Sequence, residues 1–460
     1  MKVPRIVCTG MLDTKGDEIR YLASEIKAFG GKPLLLDLSL GKEADWADIK
    51  VGEVLAAQGK NKDEMFAMSR SAAVDYIGPC VEKKIIELYR QGLVNGIISW
   101  AGSMGTSAVT YAMRALPLGV PKVMLCTSAS RDVSKWVGVK DIFMTNPISE
   151  KGINRITRKT ARNAVAAVVA MGKLELEPSP EKEEKPLAAV TLYGTTTPVA
   201  VQCAQFLENR GFDVLYFHQT GIGALMEELI REGEICVVFE ITPGEISKND
   251  YYPAASLALC DRLTAAFDMG IPSITTPGGL DQIPINRPFD SIPEHFKRGH
   301  TDRMRVSYRN LGKPYIHNIA TTIVSPTLEE NKEMSFEIVR KFNTAKGPAV
   351  FILPMKGWSA YDQSAEHAAL SPRMGWVEDC DGPVWIPDRQ NPQWSLRAVE
   401  MWKIMKSEWN RNKTNTDLLR VNMHILDESF AELCCRIMGD ILDGQWKQGL
   451  YAEVPGVLFD

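Results

Sequence analysis

Short, continuous apolar runs alternate along this chain with longer stretches of helical periodicity. The runs RIVCTG from Arg5, KPLLLDLSL from Lys32, NGIISWAGS from Asn95 and KVMLCTSAS from Lys122 have little polar alternation. Unbroken apolar strands are buried on both faces, which is the habit of parallel sheets covered by helices. Between them lie stretches that read as helices, such as INRITRKTARNAVAAVVAMG from Ile153. Strand, polar loop, helix and strand in repeated order predict an α/β fold.

The pattern breaks once, at KLELEPSPEKEEKP, Lys173 to Pro186. Charges and prolines replace apolar periodicity there, which predicts an exposed linker. The expected organisation is a first domain over residues 1–174, a linker over 175–186 and a second domain over 187–460. The second part repeats the plan of the first. LAAVTLYG from Leu187 matches RIVCTG, and DVLYFHQTG from Asp213 matches KPLLLDLSL. EICVVFEITPGE from Glu234 matches NGIISWAGS, and SITTPGGLD from Ser273 matches KVMLCTSAS. The punctuation agrees too: Gly30-Gly31 with Gly211, and Gly119-Val120-Pro121 with Gly270-Ile271-Pro272. Two doubly wound α/β domains with parallel sheets are therefore expected. The tail from Ala365 holds Trp376, Trp385, Trp394, Trp402, Trp409 and Trp446, and reads as a mainly helical, Trp-rich C-terminal extension.

Composition narrows the function classes. A net charge of −4 over 460 residues gives no nucleic-acid footprint and no electrostatic pull toward a membrane. No apolar run has the ~20 residues of a membrane span, and the start runs directly into a strand, so a cytoplasmic protein is expected. The nine cysteines form no CxxC pair or zinc spacing and read as reduced thiols serving as small core residues, with Cys434-Cys435 on a terminal helix.

Ligands of parallel sheets bind beyond the carboxyl ends of the strands, and this locates the candidate chemistry. In the first domain these ends are Thr9 to Gly16, Ala101 to Ser107 and Cys126 to Asp132. They offer Asp13, Thr14, Lys15 and Gly16; Gly102, Ser103, Met104, Gly105, Thr106 and Ser107; and Ser128, Ser130, Arg131 and Asp132. Small and hydroxylated residues leave backbone N–H groups open at helix starts, where anions are favoured. Lys15 adds positive charge, and a carboxylate could hold Mg²⁺. Together the loops predict a nucleotide or phosphorylated ligand. Neither GxxxxGK[ST] nor GxGxxG occurs, so a P-loop protein of the usual kind and a nicotinamide oxidoreductase are disfavoured. In the second domain His218, Glu240, Asp281 and Lys356 stand at strand ends as candidate acid/base or metal-assisting groups, with His317-Asn318 and His424 as further members. Glu227-Glu228 read as a solvated helical face.

GMLDTKGDE from Gly10, AGSMGTSAVTYAMRALPLGVPKVM from Ala101 and CTSASRDVSKWVGVKDI from Cys126 resemble the N-terminal domain of the tomato mosaic virus resistance protein-like family. YGTTTPVAVQCAQFLENRGFDVLYFHQTGIGALMEELI from Tyr193, TPGGLDQIPIN from Thr276 and LPMKGWSAYD from Leu353 resemble its second domain. The resemblance implies two Rossmann-like domains, a homo-oligomer in the form of a dimer, and ATP with Mg²⁺ at the first domain. It places ATP at the Thr14–Gly16, Gly102–Ser107 and Ser128–Asp132 loops. The chain departs from the family pattern at Trp100-Ala101 and Met104, where glycine or small residues are usual, and at Tyr315-Ile316 before His317-Asn318.

Three readings stay open. The first is an ATP-binding enzyme acting on a small polar metabolite at the interdomain cleft or the second-domain rim. The second is a non-catalytic ATP-binding regulatory protein. The third is an ATP-independent, metal-assisted hydrolase or carbon–carbon bond-cleaving enzyme on a small carboxylate.

Overall fold

The computed structural model describes residues 3–174, 176, 185–219, 222–247, 262–285, 287–292, 315–319, 321–364, 386–452, 454 and 456–458. The chain divides into two compact units, Met1–Lys182 and Glu183–Asp460.

The first unit holds a five-stranded sheet of β1 (Arg5–Gly10), β2 (Lys32–Asp37), β3 (Ile97–Ala101), β4 (Lys122–Cys126) and β5 (Ile142–Thr145). All its pairings are parallel, in the order β2-β1-β3-β4-β5. Alternate side chains of each strand serve two separate cores. Val7, Leu36, Ile97, Met124 and Cys126 pack with residues of the helices Arg70–Arg90 and Ser103–Ala115. Ile6, Cys8, Ile98, Trp100, Val123 and Leu125 pack on the opposite face with the helices Leu12–Ala28 and Arg155–Leu174. This two-sided burial explains why the strands carry so little polar alternation. The last of these helices buries Thr157, Ala161, Ala164, Val165, Val168, Val169 and Gly172, one stripe at helical spacing.

The second unit repeats the order. Its strands are β6 (Leu187–Leu192), β7 (Asp213–His218), β8 (Ile235–Glu240), β9 (Ser273–Thr275), β10 (Ile283–Ile285), β11 (Tyr315–Asn318), β12 (Thr321–Val324), β13 (Ala349–Pro354), β14 (Thr416–Val421) and β15 (Val457–Leu458). The main sheet runs β15-β14-β13-β9-β8-β6-β7. Its stretch β7-β6-β8-β9-β13 has the topology of β2-β1-β3-β4-β5, and the four sequence matches fall on β7-β6-β8-β9 in that order. All pairs are parallel except β14 with β15. A small antiparallel sheet, β10-β12-β11, is inserted between β9 and β13. Helices Thr197–Asn209 and Glu428–Leu442 cover one face of the main sheet. Helices Leu328–Phe342 and Leu396–Glu408 cover the other, where Phe342 meets the rings of Phe267, Phe351 and Trp409. Thr327 and Glu330 close a reciprocal capping box at the start of the Leu328–Phe342 helix. Cys434 and Cys435 lie on the Glu428–Leu442 helix, and among the described residues the cysteines carry free thiols.

The described C-terminal region holds the helices Leu396–Glu408 and Glu428–Leu442 together with two strands. β14 and β15 extend the main sheet, and Trp394, Trp402 and Trp409 pack beside the core of the same unit. Trp376, Trp385 and most of the proposed linker lie outside the described residues. Among the described residues no helix is long and apolar enough to cross a membrane.

Glycines at the helix-to-strand turns are of two kinds. Gly211 has φ +90°, and a Cβ added there would meet nothing within 4 Å, so only its backbone conformation selects glycine. A Cβ on Gly347, by contrast, would collide with the carbonyl oxygen of Gly270. We predict that Gly211→Ala costs about 1 kcal/mol through its left-handed backbone. Gly347→Ala should cost more, about 1–3 kcal/mol, because backbone must move. Urea unfolding of the full chain checks both; equal costs would refute the steric assignment.

Candidate functional site

The order of the first sheet reverses at β1: β2 lies on one side of it and β3 on the other. The loops leaving the carboxyl ends of β1 and β3 therefore diverge, and a crevice is left between them. A cavity of about 330 Å³ lies there, lined by Met11, Thr14, Lys15, Arg70, Ala101, Gly102, Ser103, Met104, Gly105, Glu150 and Lys151.

After β1 the chain makes one helical turn, interrupted at Lys15 (φ −123°, ψ 24°) before the helix resumes. This turn is pinned from outside. The Asp13 N–H donates to Ser39 Oγ at 2.9 Å, and Ser39 Oγ donates to Asp37 Oδ1 at 2.5 Å. Asp13 Oδ2 accepts from the Gly41 N–H at 3.0 Å. Asp37 is buried, and burial raises its carboxyl above the ordinary range although Ala44 and Ser39 donate to it. The kink turns the nearly buried Lys15 toward the cavity, where Nζ donates to the Glu150 carbonyl and lies 3.9 Å from the Glu150 carboxylate. Glu18, also buried, accepts from the Gly152 N–H at 2.8 Å and so holds the end of the segment that carries Glu150.

After β3, Gly102 caps the helix Ser103–Ala115 with no side-chain acceptor. The first backbone bond of this helix runs from Thr106 N–H to Gly102 O. The N–H groups of Ser103, Met104 and Gly105 thus have no partner inside the helix and face an end that favours negative charge. A Cβ at Gly105 would meet Ala101 Cβ at 2.7 Å, so this position must stay small for helix and strand to approach. Met104 lines the cavity while packing against the core below.

The structure brings together Thr14, Lys15, Gly102, Ser103, Met104 and Gly105. Other expected members serve the frame. Asp13 fixes the β2 loop, Gly16 begins the resumed helix, and Thr106 is buried with Oγ1 donating to Cys126 Sγ at 3.3 Å. Ser107 Oγ donates to Ser103 O and accepts from Trp136 Nε1. Ser128, Ser130 and Asp132 do not line the cavity; Asp132 caps Ser134 N–H at 3.0 Å, and the Ser134 side chain and then this N–H hold its carboxyl below the usual range. Arg70, Glu150 and Lys151 join the site without a signal in the sequence. They come from a helix start and a loop after β5, and no local motif marks them.

The second unit disperses its candidates. Glu240 ends β8 beside the fully buried Arg262, Oε2 to Nη2 at 2.7 Å. Arg262 also meets Glu227 at 2.5 Å and Glu245 at 3.0 Å, and donates to Gln219. Burial opposes the charge on Arg262, but the fields of Glu240, Glu227 and Glu245 outweigh it and hold the guanidinium protonated. Burial raises the Glu240 carboxyl despite Arg262. Glu227 is thus not a solvated residue: it is buried, and its oxygens also accept from the N–H groups of Leu263, Thr264 and Ala265.

Asp281 belongs to another buried group, accepting from Ser359 Oγ at 2.7 Å. Asp362 accepts from Trp358 N–H at 3.0 Å and lies 3.8 Å from Arg397 Nε. His424 is buried; Nδ1 accepts from Leu426 N–H, which leaves Nε2 to donate to Asp362 O at 3.0 Å. A Cβ on Gly357 (φ +139°) would collide with that same Asp362 carbonyl. His218 is exposed at the end of β7, its ring 5.6 Å from that of Tyr193, and Lys356 is half-buried. The side chains of His317 and Asn318 and the residues Thr220 and Gly221 lie outside the described residues. Among the described residues no group of three or more His, Cys, Asp or Glu could hold a metal ion.

Two measurements test these clusters. Arg262→Ala leaves three buried carboxylates without their cation and should cost about 3–5 kcal/mol in urea unfolding. A loss near zero would show that the cluster is solvated. Burial pushes the Asp362 carboxyl from 3.8 up to about 7, against the pull of Arg397. The folded chain therefore holds this proton more tightly than the unfolded chain. The stability it contributes is full below pH ~4 and is lost as pH rises toward ~7. Asp362→Asn should flatten that part of the stability–pH curve; an unchanged slope would remove Asp362 as its source.

Comparison with known proteins agrees with this two-part organisation. Residues 4–177 match the model of the N-terminal domain of an uncharacterised protein family, UPF0261, and residues 185–372 match that of its C-terminal domain. A UPF0261 protein of Clostridium tetani is 36% identical over 93% of this chain and 96% of its own length. A UPF0261 protein of Rhizobium meliloti is 33% identical over 78% of this chain and 85% of its own. The ToMV resistance protein Tm-1(GCR237) of Solanum lycopersicum is 31% identical over 78% of this chain, but over only 48% of its own length. Matched over nearly its whole length by a bacterial relative and in both domains by family models, the chain belongs to the UPF0261 family, which also takes in the tomato proteins.

Proposed function

We propose that the N-terminal unit binds the phosphate of a nucleotide or another phosphorylated metabolite in the crevice between β1 and β3. The observation that carries this is the uncapped start of the Ser103–Ala115 helix, opening on a cavity with Lys15, Arg70 and Lys151 on its wall. Open N–H groups, the helix-end field and three cations against one carboxylate make the wall selective for an anion. A volume of about 330 Å³ is at the small end of ligand cavities, so it suits phosphoryl groups better than a whole nucleoside. ATP is the ligand suggested by the resemblance of the Thr14–Gly16 and Gly102–Ser107 loops, on a Rossmann-like unit in a cytoplasmic homodimer. Mg²⁺ would then arrive with the nucleotide, held mainly by phosphate oxygens and water, because few protein carboxylates face the cavity.

The non-catalytic form of this reading has a specific observation in its favour. Glu240 and Asp281 are tied into two separate buried clusters, while His218 is exposed on a third strand end, so the described residues do not assemble an acid/base centre. In this form, ligand occupancy is the output and turnover is absent.

ATP, with and without Mg²⁺, should bind the purified full chain in calorimetry and raise its melting temperature. Lys15→Ala should weaken binding roughly tenfold or more, the scale of one charge-assisted hydrogen bond. Unchanged affinity in this variant would overturn the assignment. Release of ADP or phosphate at a rate dependent on Lys15 would overturn the non-catalytic form alone.

A further inference from the structure

The cavity already contains an anion, and it belongs to the chain itself. Glu150 lies between Ile148 (φ +76°) and Gly152 (φ +91°), two residues in the left-handed region. Glu150 and Lys151 of this bent segment line the cavity. Its carboxylate is 3.9 Å from Lys15 Nζ, and Oε1 is 2.9 Å from where a Cβ on Gly102 would stand. Gly102 is the N-cap of the Ser103–Ala115 helix and makes no side-chain capping bond. One carboxylate oxygen thus sits near both features that would attract a phosphate: the nearly buried ammonium and the open helix end.

Two further details set this contact apart from a surface ion pair. The Glu150 side chain is 72% exposed, whereas that of Lys15 is 10% exposed. The cation is fixed by the fold, while the carboxylate reaches it from solvent and can leave without opening a core. The segment is also anchored at its far end, where the buried Glu18 accepts from the Gly152 N–H. The carboxylate can therefore swing away while the loop stays attached.

We infer that Glu150 is a specificity-determining residue of the phosphate site: an internal competitor that occupies the anion position and must be displaced by an incoming phosphate. This rests on the phosphate-binding reading above and adds its regulation. A ligand with several negative charges gains from Lys15, Arg70 and Lys151 together and displaces the carboxylate. A single weak anion meets a repulsive charge in its place. The device selects for polyphosphate over simple anions without any contact to a base or sugar.

The test uses the full chain, Glu150→Gln and Lys15→Ala, with inorganic phosphate and ATP as probes in calorimetry. Glu150→Gln keeps the side chain's length and removes its charge at an exposed position, so folding is unaffected. Its affinity for inorganic phosphate should rise roughly fivefold, the scale of one charge interaction at a helix end, with a smaller gain for ATP. Hydrogen exchange supplies the second readout. ATP bound to the unaltered chain should slow exchange over residues 103–105, whose N–H groups have no partner inside the helix. Equal affinities in the unaltered chain and Glu150→Gln would overturn the competitor role and leave the phosphate site standing. ATP binding that leaves exchange over 103–105 unchanged would also overturn it, since the position next to Glu150 was then not taken. If no form binds either probe, the site and its competitor fall together.

Discussion

Every parallel strand in both sheets runs in the same direction, and most of the structure follows from that constraint. A parallel neighbour can be reached only by a crossover, so a strand such as β1, β3, β6 or β7 is followed by a helix that begins at the carboxyl edge. Both faces of the sheet are then covered, and all strand side chains must be apolar or paired. The constraint also gathers helix starts, with their unpaired N–H groups, along one edge. Where the strand order reverses at β1, the covering loops part, and the crevice between β1 and β3 is what remains. The cavity is thus a consequence of the topology.

The two units answer the same topology differently. In the first, the helix after β3 starts on a bare glycine and its end opens on the cavity that Lys15 and Glu150 line. In the second, the loops at the same edge interlock. Thr195 accepts from Gln282, Gly279 N–H donates to Trp358 O, and Gly278 and Gly279 leave no room for a Cβ beside Ile241 and Tyr193. Among the described residues these loops pack on one another, and Arg262 and its three carboxylates are buried in the same unit. Breaking such a cluster is costly, because each remaining charge is left in a low-dielectric interior. Among the described residues, equivalent strand ends thus carry a cavity lined by Lys15, Arg70 and Lys151 in one unit and buried, paired charges in the other.

The strands that the apolar pattern reveals most plainly, β1, β3, β4 and β8, are buried on both faces, while the edge strand β7 keeps an apolar run with exposed positions. β5 escapes it because it is an edge strand with a half-exposed pattern. β14 carries Asp417 and Arg420 and lies next to the short β15, so it too lacks an unbroken apolar run. Within the site, Lys15 and Gly102–Gly105 are legible, since they directly follow apolar strands. Glu227 misleads for a different reason. Its helix looks amphipathic, but the side chain that neutralises it, Arg262, is 35 residues away and no local spacing announces the pair.

By itself the sequence determined the α/β class, the doubling of one strand plan and the loops at which a ligand could enter. These depend on local patterns: apolar runs, helical periodicity, and glycines where the backbone turns left-handed. Only the tertiary structure decided which charges meet. Arg70 and Glu150 reach the same cavity from elements far apart in the chain, and Arg262 gathers carboxylates from three separate segments. Secondary structure is set over a few residues of backbone, whereas burial and charge pairing are set by distance in space.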